Sequence, residues 1–200
     1  PSVIQQSIPA ISTTFLTALV STYGVTAIAA YGVTGKLETI LFYPAMALNM
    51  VLTAIIGQCI GGARYDRAKD YLKCALKYGC GVLVLLSVLV VGFSKQLSGL
   101  FIQSGDAAAI VGTYFLIVSA GYVLNTVTNC FLGALNGMGK PSKSMLLMIS
   151  YYIVVRMPLA YLLSGLGVGL NGIWAAVLVS HVTASAAAGV AGMVSFKKRG

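Results

Sequence analysis

Charge is what this chain has least of. Four acids and thirteen Lys or Arg make up 8% of its 200 residues, where a soluble protein carries about 25%. So few charges cannot clothe a water-facing surface, and the mean hydropathy of +0.91 points the same way. Lipid must solvate most of the chain. The shortage of acids also bears on chemistry. An intramembrane enzyme needs paired acids, a metal set or a nucleophile with its base at depth, and none accompanies the single His181. No catalytic residue and no enzyme activity are expected. Cysteine is scarce too: Cys59, Cys74, Cys80 and Cys130 show no CxxC or other metal-ligand spacing. No metal site is expected, and thiols beside apolar stretches read as packing material. A net charge of +9 raises the question of nucleic acid, but no basic-aromatic recognition motif is present and that partner is discounted. No signal peptide is visible, since position 1 is Pro and no basic stretch precedes the first apolar run. The expectation is a piece of a longer chain.

What the chain does have is long uncharged stretches, over residues 1–35, 39–63, 78–94, 107–139, 144–155 and 157–196. Crossing the hydrocarbon core takes roughly 20 mainly apolar residues. Lysines that snorkel at a helix end extend the third window, and the fifth continues past Arg156. The reading is an all-α integral membrane protein, a single unit over 1–200 with six spans at about 2–21, 36–60, 71–93, 107–132, 142–163 and 171–195. Breaker-rich connectors such as "YGVTAIAAYGVTG", "SKQLSGLFIQSGD", "LNGMGKPSK" and "SGLGVGLNG" separate them.

The stretch "IGQCIGGARYDRAKDYLKCALK" (56–77) explains the sidedness. "GQCIGG" lacks the spacing of a phosphate-binding GxxxxGK[ST] loop and follows a membrane-length run. The cations are segregated instead. Arg64, Arg67, Lys69, Lys73, Lys77, Lys140, Lys143, Lys197, Lys198 and Arg199 follow even-numbered spans, against Lys36 and Lys95 in the other connectors. Cations gather on the cytoplasmic side of membrane helices. The expectation is a multi-pass protein of the cell inner (plasma) membrane with both ends of this chain cytoplasmic. Tyr31, Tyr43 and Tyr161 on one side and Tyr65, Tyr71 and Tyr78 on the other fit interfacial belts.

The spans are not lipid-like all round. The first holds Gln5, Gln6, Ser7, Ser12, Thr13, Thr14 and Thr17, and the fourth holds Asn125, Thr126, Thr128 and Asn129. Polar groups at depth face other helices or a wet cavity. Gly57-x-x-x-Gly61 and Gly133-x-x-x-Gly137 put small residues on one helix face and permit close contact.

Four stretches occur in order over nearly the whole chain: "IAAYGVTGKLETILFYPAMALNMVLTAIIGQCIGGARYDRAK", "GALNGMGKPSKSM", "VVRMPLAYLL" and "GLNGIWAAV". Together they resemble the second half of a multidrug and toxic compound extrusion (MATE) transporter. The resemblance implies a twelve-helix antiporter of two six-helix lobes, with this chain as the C-terminal lobe, helices seven to twelve. It implies export of amphipathic, often cationic drugs against an inward flow of sodium ions or protons, as the lobes rock about a central cavity. The implied partners are the lipid bilayer, drug-like small molecules and the N-terminal lobe of the same transporter. Two departures matter. The first span has no Asp or Glu, and the acid of helix ten falls on Asn125. An amide neither releases a proton nor brings charge to a sodium site. The coupling ion, sodium or proton, is therefore expected in the missing N-terminal lobe, with no other cofactor. The alternatives are a flippase of lipid-linked precursors from the same superfamily and an autonomous six-helix protein that pairs with a second copy.

Residues are weighed for this role as follows. Asn125 and Asn129 share a helix face and line the substrate cavity or bond neighbouring helices. Gln5, Ser12, Tyr151 and His181 are further cavity candidates, His181 as a titrating group or as packing, Tyr151 or its neighbour Tyr152 as a ring for a cationic drug. Arg156 lies about 20 Å along its helix from Lys143, at a depth similar to Glu38, and the two form a charge pair or snorkel separately. Pro9, Pro44 and Pro158 favour bends inside spans.

Overall fold

An uncharged stretch in lipid must satisfy its backbone within itself, and the helix does so. The computed structural model describes residues 2–99 and 105–197. Those residues form α1 Ser2–Ser21, α2 Val25–Gly61, α3 Tyr65–Gly92, the short α4 Ser94–Gly99, α5 Gly105–Gly137, α6 Pro141–Val168 and α7 Leu170–Lys197. Of these, α2, α3, α5, α6 and α7 are long and apolar enough to cross a membrane. The threonine-rich α1 joins them in the bundle without meeting that measure. Of the cations used above to read sidedness, Lys198 and Arg199 and the side chain of Lys95 lie outside the described residues.

The six long helices match the six expected spans, but several ends differ. The largest difference is α2, which starts at Val25 and not near 36. Gly32 and Gly35 read as breakers, yet Ala27, Ala30, Val33 and Thr34 are buried between neighbouring helices. Packing of that face outweighs about 1 kcal/mol of glycine propensity. Only Gly24, in the left-handed region at φ 101°, turns the chain. At 1.5 Å per residue α2 is about 55 Å long, well beyond a hydrocarbon core of about 30 Å. The connector after α3 contains α4. In α6 the backbone widens to π-type turns at Ser150–Arg156 and Ser164–Val168. The first stands directly before Met157 and Pro158, where proline's missing N–H interrupts the regular ladder. The helices continue through Pro9 and Pro44.

Buried side chains form two clusters. One, at the end of the bundle that carries Arg64, Lys140 and the start of α1, gathers Leu52, Ile56, Ala68, Leu72, Phe131, Leu135 and Phe196. This is called the basic end below. The other, toward the far end, gathers Leu37, Leu41, Leu83, Tyr114, Phe115, Tyr122 and Trp174. At the basic end α2 and α5 touch backbone to backbone. A Cβ built on Gly133 would stand 2.5 Å from the Asn49 carbonyl oxygen, and one on Gly137 2.7 Å from that of Thr53. Gly57 meets Gly137 across this crossing, whereas Gly61 faces open space. The second small-residue pair is thus a true contact face, and the first is so at one of its two glycines.

Candidate functional site

The far cluster is framed by rings and holds charge. Glu38, half-buried on α2, turns its carboxylate to α5, where Tyr114 and Tyr122 lie on the inward face. Both hydroxyls donate to Oε1, that of Tyr122 at 2.8 Å. Oε2 accepts no hydrogen bond from the described residues and is not among the sealed polar atoms. Trp174 of α7 stacks on Tyr31 at 5.6 Å and meets Tyr114 edge-on at 4.7 Å. Such ring pairs contribute about 0.5–1.5 kcal/mol each beyond burial, so they fix the hydroxyls that aim at Glu38.

Arg156 comes from the other side. The π-type turn of α6 carries it inward until 6% of its surface remains exposed. Its Nε donates to Ser180 Oγ at 2.8 Å and its Nη2 lies 3.2 Å from His181 Nε2, both on α7. Its guanidinium lies 4.5 Å from the centre of the Tyr152 ring. A guanidinium only donates, so His181 accepts with Nε2 and keeps its hydrogen on Nδ1. That Nδ1 is buried with no partner among the described residues. His181 can lie this deep because position 121 is glycine, where a Cβ would stand 2.9 Å from Cδ2 of the ring.

The direct Glu38–Arg156 pair is not formed. The ion pair seen among the described residues is the surface contact Lys73–Asp70. Glu38 and Arg156 act on each other through space instead. Phe42 touches a partner of each, 5.6 Å from the Tyr122 ring and 6.5 Å from that of His181. Similar depth along two helices says nothing about what stands between them.

The polar residues of α5 nearer the basic end are joined helix to helix. Asn49 of α2 donates to Asn129 Oδ1 at 3.2 Å, and Asn129 donates to the Asn125 carbonyl at 3.0 Å. Asn125 is buried at this crossing. Gln5 and Asn136 exchange amide hydrogen bonds at 3.4 and 3.3 Å, and Gln5 also donates to the Pro141 carbonyl at 2.9 Å. Ser12 is buried, with no partner for its hydroxyl among the described residues. Tyr151 is buried against the Tyr152 ring at 4.3 Å. An open cleft of about 850 Å³ lies between α1 and α6, lined by Gln6, Ala10, Thr14, Phe15 and Met157 among others. None of the cavity candidates named from the sequence lines it. Sequence reasoning missed Tyr114, Tyr122, Ser180 and Asn49. The one available signal was that Tyr114 and Tyr122 share a helical face in a span otherwise short of tyrosine.

Comparison with known proteins places this geometry in a family. A model of the MatE family matches residues 1–162. The chain is 30% identical over 153 residues to the probable multidrug resistance protein NorM of Pasteurella multocida, covering 74% of this chain and 33% of that protein. It is 26% identical over 148 residues to an FAD transporter of Shewanella oneidensis, covering 74% and 32%. Among solved structures, the MATE transporter VcmN of Vibrio cholerae in its bent form superposes with a TM-score of 0.89 at 20% identity, covering 98% of this chain and 44% of that one. This chain spans about a third of the curated relatives it matches and less than half of the solved transporter.

Proposed function

The chain belongs to the MatE family, and from that premise we propose that it supplies one lobe of a secondary efflux transporter in the cell inner membrane. The transporter exports amphipathic or cationic drugs in exchange for inward-flowing sodium ions or protons. Its basic end faces the cytoplasm, a second MATE lobe covers one face of the bundle, and the substrate passes between the lobes. What best supports this reading is proportion: nearly the whole chain superposes on 44% of a MATE transporter, leaving room for a lobe of similar size. Lobes that rock about a midplane site are how repeat-built transporters work.

The test uses liposomes holding the chain alone, or the chain with a partner MATE lobe, and an inward sodium or proton gradient. Gradient-driven movement of a fluorescent cationic dye is expected with both lobes and not with one. Movement by the chain alone would overturn the two-lobe reading, and none in either case would overturn export.

One observation favours a second reading. Arg156 is a buried cation with no acid bonded to it, and one relative is named an FAD transporter. A substrate carrying phosphate or carboxylate would supply the missing negative charge, and competition of such compounds with the dye separates the two readings.

A further inference from the structure

Glu38 is the one acid that the described structure holds against the interior of the far half; Asp66 and Asp106 stand in the first turns of α3 and α5, and Asp70 lies exposed beside Lys73. An ionisable group inside a membrane bundle is expensive unless something neutralises it. Two phenol hydroxyls lower that cost by hydrogen bonding, but they bring no positive charge. Arg156 acts on Glu38 only through space. No cation is bonded to Glu38 among the described residues, and Oε2, unbonded and unsealed, is where a proton can land.

The geometry points to Glu38 as a proton-exchanging carboxylate within this lobe, held by Tyr114 and Tyr122 and loaded at Oε2. The inference rests on the transport reading above but moves one coupling site to this lobe from the missing one. Three observations carry it. The fixed hydroxyls hold Oε1, so an incoming proton forms its O–H bond at Oε2, and deprotonation returns that proton to water with no other bond changed. Both tyrosine hydroxyls already spend their hydrogens on Oε1, and no other His, Cys, Asp or Glu among the described residues joins Glu38 in a cluster of three, so a sodium ion would have to rely on hydroxyl and carbonyl oxygens. Depth gives direction: at 1.5 Å per residue Glu38 stands about 35 Å along α2 from Gly61 and about 20 Å from Val25, nearer the far end than the basic end. With the basic end cytoplasmic, protons reach Glu38 from outside, the direction an inward-driven antiporter needs.

The groups that face Glu38 are few. Tyr31 lies on its own helix, Tyr114 and Tyr122 on α5, and Arg156 on α6 with His181 of α7 behind it. Neither α1 nor the far half of α3, residues 81–92, carries a titratable side chain. Charge on Glu38 therefore acts mainly on Arg156. Protonation removes the attraction between α2 and α6, and deprotonation restores it.

Infrared difference spectroscopy of the purified chain in lipid nanodiscs reads the site without requiring transport. Beside the bands of Asp66, Asp70 and Asp106, one further protonated-carboxyl band that appears and disappears with pH is expected, and Glu38→Gln should remove that band alone. Tyr114→Phe/Tyr122→Phe should keep the band but shift its midpoint, which a purely structural role for the hydroxyls would not do. Sodium added at constant pH should leave the band unchanged. A set of titrating carboxyl bands that is the same in Glu38→Gln as in the folded wild-type chain overturns the assignment. Displacement of the band by sodium overturns the proton in favour of a metal cation. A thermal melt of each variant in the same nanodiscs establishes that the compared proteins are folded. A positive band with no dye transport would sink the export reading and leave the site standing.

Discussion

At the basic end the lobe is packed backbone on backbone, and at the far end ring on ring. The first kind of contact uses glycine: Gly133 and Gly137 let α5 approach the carbonyls of Asn49 and Thr53. The second uses Tyr31, Tyr114, Phe42, Tyr122 and Trp174, whose bulk holds the helices apart. The difference has a consequence for charge. Two helices in backbone contact leave no room for an ionisable side chain, whereas rings leave gaps and carry hydroxyls to satisfy one. Glu38 and Arg156 both sit in the ring-packed half. One end of the lobe is built to stay fixed, and the other can hold a group whose charge changes.

The contrast breaks first at Gly133. Gly133→Ala puts a methyl group 2.5 Å from a backbone oxygen, and backbone cannot swing aside as a side chain does. The expected loss is about 3 kcal/mol, read as a fall in thermal midpoint or as failure to recover a monodisperse protein. Gly61→Ala meets open space and should be neutral or stabilising by up to about 1 kcal/mol. Equal effects at the two positions would mean that the crossing is not backbone-tight.

The next effect belongs to the far half. Arg156→Lys keeps the charge but cannot hold Ser180 Oγ and His181 Nε2 in one planar fork. A loss of about 1.5 kcal/mol is expected, the value of a hydrogen bond to a charged group. Dye export by the two-lobe protein should fall by more than stability does. If stability and export fall in step, the ring-packed half is scaffold and the comparison loses its functional side.

Between the two ends lies the asparagine crossing. A double-mutant cycle of Asn49→Ala and Asn129→Ala should give a coupling of about 0.6 kcal/mol, the usual size for hydrogen bonds between membrane helices. A coupling near zero would leave Asn129 serving something other than α2.

Particular residues show what could be read before the structure. Charge-free windows located the six long helices because lipid imposes a length, and Gly133-x-x-x-Gly137 announced a contact because only small residues allow one. The start of α2 escaped because burial of Ala27, Ala30 and Val33 overrides glycine punctuation. The partners of Glu38 escaped for another reason. Spacing tells which residues share a face of one helix, but Tyr114 is 76 positions away on another helix. That residue is chosen by how α2 and α5 cross. Arg156 could be read only by its place along the chain, and the π-type turn that directs it to Ser180 and His181 leaves no mark in periodicity.

The smallest effect is expected at the amide clasp of α1. Gln5 and Asn136 exchange hydrogen bonds that are long, at 3.4 and 3.3 Å, with a better one to the Pro141 carbonyl at 2.9 Å. A neutral hydrogen bond nets about 1 kcal/mol at normal length, and a methionine of similar reach recovers part of it by packing. Gln5→Met should therefore cost about 0.5 kcal/mol, a shift of about 2 °C for a chain of this size. Hydrogen exchange should quicken at the start of α1 and stay unchanged across the Gly133 crossing. Should Gln5→Met cost as much as Gly133→Ala, the basic end would be held by side-chain bonds and not by backbone contact. The two halves would then differ in their residues without differing in how firmly they are held.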